Sequence, residues 1–175
     1  MATGNNTKRY ETPNHPFQGE RIAQEGDLLG RYGLKNKEEL WRAQSELRNY
    51  RREARRLIGE AQGELDVAEA AGEEFLARLR RYGILSDEDD ISRVLGLDVT
   101  DILERRLQTV AYRKGLASTP DQARQFIVHG HVVVDGARVT RPSKTVEVAE
   151  EDAIAFDENS PLADDLHPER AEGQE

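Results

Sequence analysis

From Lys37 onward Leu40, Ala43, Leu47, Tyr50, Ala54 and Leu57 recur at alternating spacings of three and four, the signature of one apolar helix stripe. Ahead of it, Pro13, Pro16 and scattered glycines and asparagines predict an extended arm over residues 1–36. That arm is expected to hold one short helix near Gln18–Leu29, with Gly30 and Gly33 punctuating its end. Residues 61–82 predict another helix, with Leu65, Phe75, Leu76 and Leu79 on its apolar side and Gly63 and Gly72 as weak points. Ser86-Asp87-Glu88-Asp89-Asp90 is an acidic start signal for a short helix, Ile91–Leu95, closed by Gly96.

Asp101 is expected to cap a helix carrying Leu103, Leu107 and Val110 on one face and ending at Gly115. Ser118 or Thr119 caps the next helix, with Pro120 at its first position and Ala123, Phe126 and Ile127 buried. Gly130 ends it. Val132–Val134 and Ala137–Thr140 flank Asp135-Gly136, a strong hairpin signal. Thr145–Val148 and Ala153–Phe156 read as two further strands, and the acidic, proline-broken chain after Asp157 is expected to be partly disordered. The parts are an arm (1–36), a helical, arginine-rich domain (37–100), a helix–helix–hairpin unit (101–158) and an acidic tail (159–175). The fold class is α+β, with an N-terminal helical domain followed by a short antiparallel sheet in the second unit.

The net charge of −9 hides segregation. Residues 101–146 hold 8 Lys/Arg against 4 Asp/Glu, whereas residues 147–175 hold 1 against 11. Residues 1–60 are net basic and 61–100 net acidic. Aromatics at 6% and hydrophobics at 37% allow only modest cores, which argues against a large enzyme with a deep pocket. The absence of cysteine excludes disulfides and thiolate metal sites and fits an intracellular protein. Without an apolar signal core or a run near ~20 residues, a soluble, cytoplasmic protein is expected, with no membrane partner.

The candidate chemistry is phosphate recognition. Arg48, Arg51, Arg52, Arg55 and Arg56 line a second face of the long helix. Either they meet phosphates, or they form a solvated face with Glu46, Glu53 and Glu60. In the second unit Arg106 and Arg113 are seven apart and share a face, with Lys114 beside them. Gln122, Arg124, Gln125 and His129 are expected on the solvent side of the next helix. Ser118 and Thr119 offer hydroxyls and free helix N–H groups at its start. His131, Arg138 and Lys144 extend the face along the strands, and Lys8, Arg9 and Tyr10 join it from the arm. Forked and point-charge donors on rigid elements suit RNA backbone contact. The His129-x-His131 pair lacks a cysteine or neighbouring carboxylate to complete a metal site, so no metal is expected. Glu73-Glu74 and Asp89-Asp90 are adjacent and point apart on helices, and no catalytic motif is present.

Arg106-Leu107, Tyr112-Arg113-Lys114-Gly115, Ala117-Ser118-Thr119, Gln122-Ala123-Arg124-Gln125, Ile127-Val128-His129-Gly130 and Val132-Val133-Val134-Asp135-Gly136 resemble the RNA-binding domain named after ribosomal protein S-four. Tyr10-Glu11-Thr12-Pro13, His15-Pro16-Phe17, Leu28-Leu29-Gly30-Arg31-Tyr32-Gly33-Leu34 and Glu39-Leu40-Trp41-Arg42-Ala43 are similar to the archaeal and eukaryotic S-four ribosomal family. The match runs from about Lys8 to about Phe156. Gln108 stands where the wider domain usually has Asp, and Asp135 replaces the usual Asn of the turn. The resemblance implies a helix–helix–hairpin RNA-binding domain and a primary 16S rRNA-binding protein that organises a multi-helix junction and nucleates assembly of the small-subunit body. It further implies a contribution to translational accuracy through ribosomal protein five and a place near the path by which messenger RNA enters. The family is neither enzymatic nor cofactor-dependent, and no stable homo-oligomer is expected. The alternatives are an RNA-modifying factor, which would need a further catalytic domain, and a stand-alone assembly, chaperone or ribosome-rescue factor.

An acidic RNA binder with few lysines among its 25 basic residues suggests an extreme halophile. At ~1 M salt the screening length is only ~3 Å, so distant carboxylates barely repel RNA. The same salt removes most counterion-release affinity. Close, directional contacts must then carry binding, and arginine makes them better than lysine. The acidic tail and middle segment are expected to face solvent, away from RNA.

Overall fold

The stripe beginning at Leu40 builds the spine of the N-terminal half. A computed structural model describes residues 9–60, 65–164 and 166–171; Lys8, Gly63 and the side chain of Leu65 lie outside what is described. Helix α2 (Lys37–Glu60) buries Leu40, Ala43, Leu47, Ala54 and Leu57. Around it pack α1 (Gly19–Tyr32), α3 (Leu65–Arg81), α4 (Ile91–Leu95) and α5 (Val99–Glu104). Phe75, Leu76, Leu79, Val94, Leu97, Ile102 and Leu103 complete this core. A buried carboxylate ties α1 to α2: Glu25 accepts from Trp41 Nε1 at 3.1 Å and from Arg21 at 2.8 Å, and lies 3.3 Å from Lys37.

Helix α1 runs longer than its sequence predicts. Gly30 lies inside it, and Gly33, at φ 56°, forms the left-handed cap. The N–H of Leu34 returns to the Leu29 carbonyl at 2.9 Å, which closes the last turn.

The single helix expected from Asp101 to Gly115 is two. Asp98, not Asp101, caps α5, with Asp101 completing the capping box from the third helical position. Helix α6 (Leu107–Arg113) starts after an extended Arg106. The break has a cause distant in sequence. Leu107 N–H donates to the Lys144 carbonyl at 2.8 Å, Gln108 N–H to Pro142 at 3.2 Å, and Val146 N–H to Arg105 at 2.9 Å. Arg106 and Thr145 form an isolated bridge. Backbone groups that would continue the helix are therefore taken by the 142–146 segment. The expected strand at Thr145–Val148 shrinks to that bridge, followed by a 3-10 turn at Val148–Glu150.

Helix α7 (Pro120–Val128) has Thr119 as its cap, with Thr119 Oγ1 accepting from Gln122 N–H at 3.1 Å. Three antiparallel strands follow, β1 (Val132–Val134), β2 (Ala137–Arg138) and β3 (Ile154–Phe156), in the order β2-β1-β3. Asp135 and Gly136 both take positive φ, at 51° and 72°, as a tight primed turn requires. Leu107, Val110, Ala123, Phe126, Ile127, Val132, Val134, Val146 and Ile154 form the second core. The α+β fold thus has one core in the helical body and another in the helix–helix–hairpin unit.

The first part of the tail packs on the second core. Asp157 N–H donates to the His131 carbonyl at 2.8 Å, and Leu162, in a 3-10 turn at Pro161–Ala163, joins the second core. A short helix α8 (Pro168–Ala171) follows. Leu162 is the apolar anchor, and polar contacts of Asp157 with Arg138 and of Ser160 with His131 hold the chain on either side of it. Among the described residues no helix is long and apolar enough to cross a membrane.

Candidate nucleic-acid interface

Where the two cores meet, the junction is polar. Gln108 at the start of α6 is fully buried. Its amino group faces three carbonyl oxygens, of Gly33 at 2.7 Å, Pro120 at 2.9 Å and Tyr32 at 3.2 Å. Its carbonyl accepts from Arg124 at 3.2 Å, so the chemistry of the neighbours fixes the amide's orientation. Gly33 is required here: a Cβ would come within 2.7 Å of the Gln108 amide and 2.9 Å of Pro120.

Glu39 completes the joint from the first turn of α2. It accepts from Arg106 at 2.6 Å and from Arg124 at 2.6 Å and 3.2 Å. A carboxylate thus stands beside Arg106 although position 108 is an amide, and it comes from a helix distant in sequence. Burial opposes ionisation of Glu39, but hydrogen bonds and charge from Arg124 and Arg106 outweigh it and hold its carboxyl below the usual range. Burial also lowers the Arg106 guanidinium, against the pull of Glu39. Tyr32 donates to Glu104 at 2.7 Å; burial and that bond push its hydroxyl up to about 12.

A depressed folded pKa means that the Glu39 contribution is complete above its ordinary value of 4.5 and is lost as pH falls through the folded value. Glu39→Gln should therefore destabilise at neutral pH and flatten the acid limb of stability. Denaturant melts from pH 7 to pH 3 check this, and parallel pH profiles for wild type and variant would contradict it.

Two residues expected at RNA are consequently turned inward. Arg106 is 6% exposed and half-buried Arg124 is shared between Glu39 and Gln108. The break before α6 removes Arg106 from the face of Arg113, because the two no longer share one helix. Arg113 is exposed, 2.6 Å from Glu104, and Lys114 donates to the Glu151 carbonyl. Ser118, Thr119, Gln125 and His129 are exposed along one edge of α7. Gln122 is anchored at both ends, accepting from Ser118 N–H at 2.6 Å and donating to Glu169 at 3.0 Å. His131 meets Ser160 Oγ at 2.8 Å, Arg138 meets Asp157 at 2.6 Å, and Lys144 meets Glu150 at 2.6 Å. His129 and His131 stack edge-on at 6.3 Å, and among the described residues no cluster suited to a metal forms.

The arginine row on α2 divides. Arg48 binds Ser45 at 2.7 Å and Glu11 at 3.3 Å, pinning the arm, while Arg51 donates to the Leu97 carbonyl. Arg56 pairs with Glu53 and Glu60, as on a solvated face. Arg52 and Arg55 are exposed and form no ion pair among the described residues. Tyr10 packs 6.0 Å from Trp41, under Arg42. Exposed Arg9 lines a cleft of about 260 Å³ with Arg42, Glu46, Arg106, Ser143 and Thr145. No local pattern marks Arg42, Ser143 or Thr145 as site residues, because only folding brings the 142–146 segment beside α2.

Residues 105–152 match the family model described as "S4 domain". The helix–helix–hairpin unit with a helical body before it makes this an S4-domain protein. The chain is 83% identical over 175 residues to "Small ribosomal subunit protein uS4" of Haloquadratum walsbyi, covering 100% of both chains. It is 78% identical over 174 residues to the protein of that name from Natronomonas pharaonis, covering 99% of this chain and 100% of the relative. With the Haloarcula marismortui protein it shares 72% over 175 residues, covering 100% of both chains. The chain belongs to the uS4 family of small ribosomal subunit proteins, and these relatives come from halophilic archaea.

Proposed function

We propose that this chain is a structural constituent of the small ribosomal subunit that binds 16S rRNA directly, organises a multi-helix junction and nucleates assembly of the subunit body. It acts in the cytoplasm as a single copy, without catalysis or cofactor. It contacts ribosomal protein five near the path by which messenger RNA enters, and through that contact supports accurate decoding. The observation that carries the reading is similarity over the whole length to proteins named for the small subunit, rather than over the S4 unit alone. Geometry supports it: one body presents Arg113, Lys114, Ser118, Thr119, Gln125 and His129 from the S4 unit and Arg52 and Arg55 from α2. Such mixed donors on rigid helices suit backbone recognition when salt has removed long-range attraction. The test is whether the protein stays on small subunits through a wash at the salt of its own cytoplasm.

A further inference from the structure

The side of the S4 unit expected to meet phosphate already carries oxygen acceptors from the C-terminal part of the chain. Lys114 donates to the Glu151 carbonyl, Lys144 to Glu150 at 2.6 Å, Arg138 to Asp157 at 2.6 Å and 3.0 Å, and Gln122 to Glu169 at 3.0 Å. His131 meets Ser160 at 2.8 Å. Carboxylates of the acidic stretch after residue 146 thus lie on donors rather than in solvent: Glu150 on Lys144, Asp157 on Arg138 and Glu169 on Gln122. We infer that the C-terminal segment is an intramolecular carboxylate cover of the RNA-binding side, whose outer part, α8 with Glu169, yields to phosphate only when a shape-matched RNA engages several donors together. This rests on the proposed RNA-binding reading of that side.

Distance decides which groups compete for a donor. With a screening length of ~3 Å at ~1 M salt, only charges in contact compete for a donor, and these carboxylates are in contact. Exchanging a carboxylate for a phosphate leaves the number of hydrogen bonds unchanged, so an isolated phosphate gains little. RNA that fits Gln122 together with its exposed neighbours Ser118, Gln125 and His129 gains several contacts at once and displaces the outer part of the cover.

The segment is also divided in the way a displaceable cover needs. Its inner part is fixed, since Asp157 is 9% and Leu162 4% exposed. Beyond Leu162 the described residues bury no large apolar side chain, and Leu166 is 87% exposed. The outer part is held by Gln122 to Glu169, and by Arg170, which donates to the Leu162 and Ala163 carbonyls and lies 5.1 Å from the Phe156 ring. Elements with so little burial open most easily.

Glu169→Gln in the full chain tests this. The residue is exposed, so the melting temperature should not move. Binding is measured in about 1 M KCl to two probes, a 16S-derived junction transcript and a generic RNA duplex of equal length. The variant should bind the duplex roughly threefold more tightly and the junction transcript by less, narrowing selectivity. Glu169→Asp should behave as wild type. Unchanged duplex binding, or equal tightening for both probes, overturns the cover while leaving the RNA-binding reading intact. Failure of the wild type to prefer the junction transcript overturns the RNA-binding reading itself. Hydrogen exchange at Ala163 and Arg170 should speed up when the junction transcript is added; protection there would contradict displacement.

Discussion

Gln108→Glu should lower the stability of the protein by about 3 kcal/mol, although it exchanges only an amide nitrogen for an oxygen. The substitution keeps the shape and turns a two-proton donor into an acceptor. The new oxygen would sit 2.7 Å to 3.2 Å from the carbonyl oxygens of Gly33, Pro120 and Tyr32, at a position with no solvent access. Rotation brings no relief, because a carboxyl group presents an oxygen on either side. Gln108→Leu removes the donors without adding charge and should cost less, about 2 kcal/mol. For a chain of 175 residues, 3 kcal/mol corresponds to a melting temperature lower by roughly 6–12 °C. Denaturant unfolding of the three proteins side by side checks the order wild type, Leu, Glu. Equal stability of wild type and Gln108→Glu would mean that the joint does not rest on this amide.

Dilution of salt should produce the second large effect, a fall in melting temperature of about 10 °C or more from multimolar KCl to dilute buffer. The net charge is −9, and exposed Glu74, Asp87, Glu88, Asp152 and Glu158 pair with no cation among the described residues. Each is harmless when screening reaches only ~3 Å, and all repel one another when it reaches ~30 Å in 0.01 M salt. The covering carboxylates at Glu150 and Asp157 behave differently, because their donors lie in contact and their attraction survives screening. Differential scanning calorimetry across a KCl series measures the effect. A melting temperature independent of KCl would remove the physical basis for reading this composition as adaptation to salt.

What the sequence made legible was local. The Leu40–Leu57 stripe forms α2, Ile91–Leu95 closes at Gly96, Thr119 and Pro120 start α7, and Asp135-Gly136 turns the hairpin. Each rests on residues within one or two turns of each other. Illegible features depend on partners far apart. The break at Arg106 is imposed by carbonyls at 142 and 144, and Glu39 reaches Arg106 and Arg124 across separations of 67 and 85 residues. Arginine type and spacing cannot distinguish a guanidinium aimed at phosphate from one folded onto a carboxylate. That is why Arg106 reads as a contact residue and is a buried strut. Gln108 gave the one usable signal, an amide where the related domains carry an acid. Its meaning emerged only with the three carbonyls around it.

On the proposed reading, the joined halves form one body that binds small-subunit RNA by contact rather than by long-range charge. Washing small subunits at the salt of the protein's own cytoplasm, then quantifying this chain in the sedimented particles, tests it most directly. Retention at about one copy per subunit is expected. Release in that wash, or occupancy well below one, would contradict it.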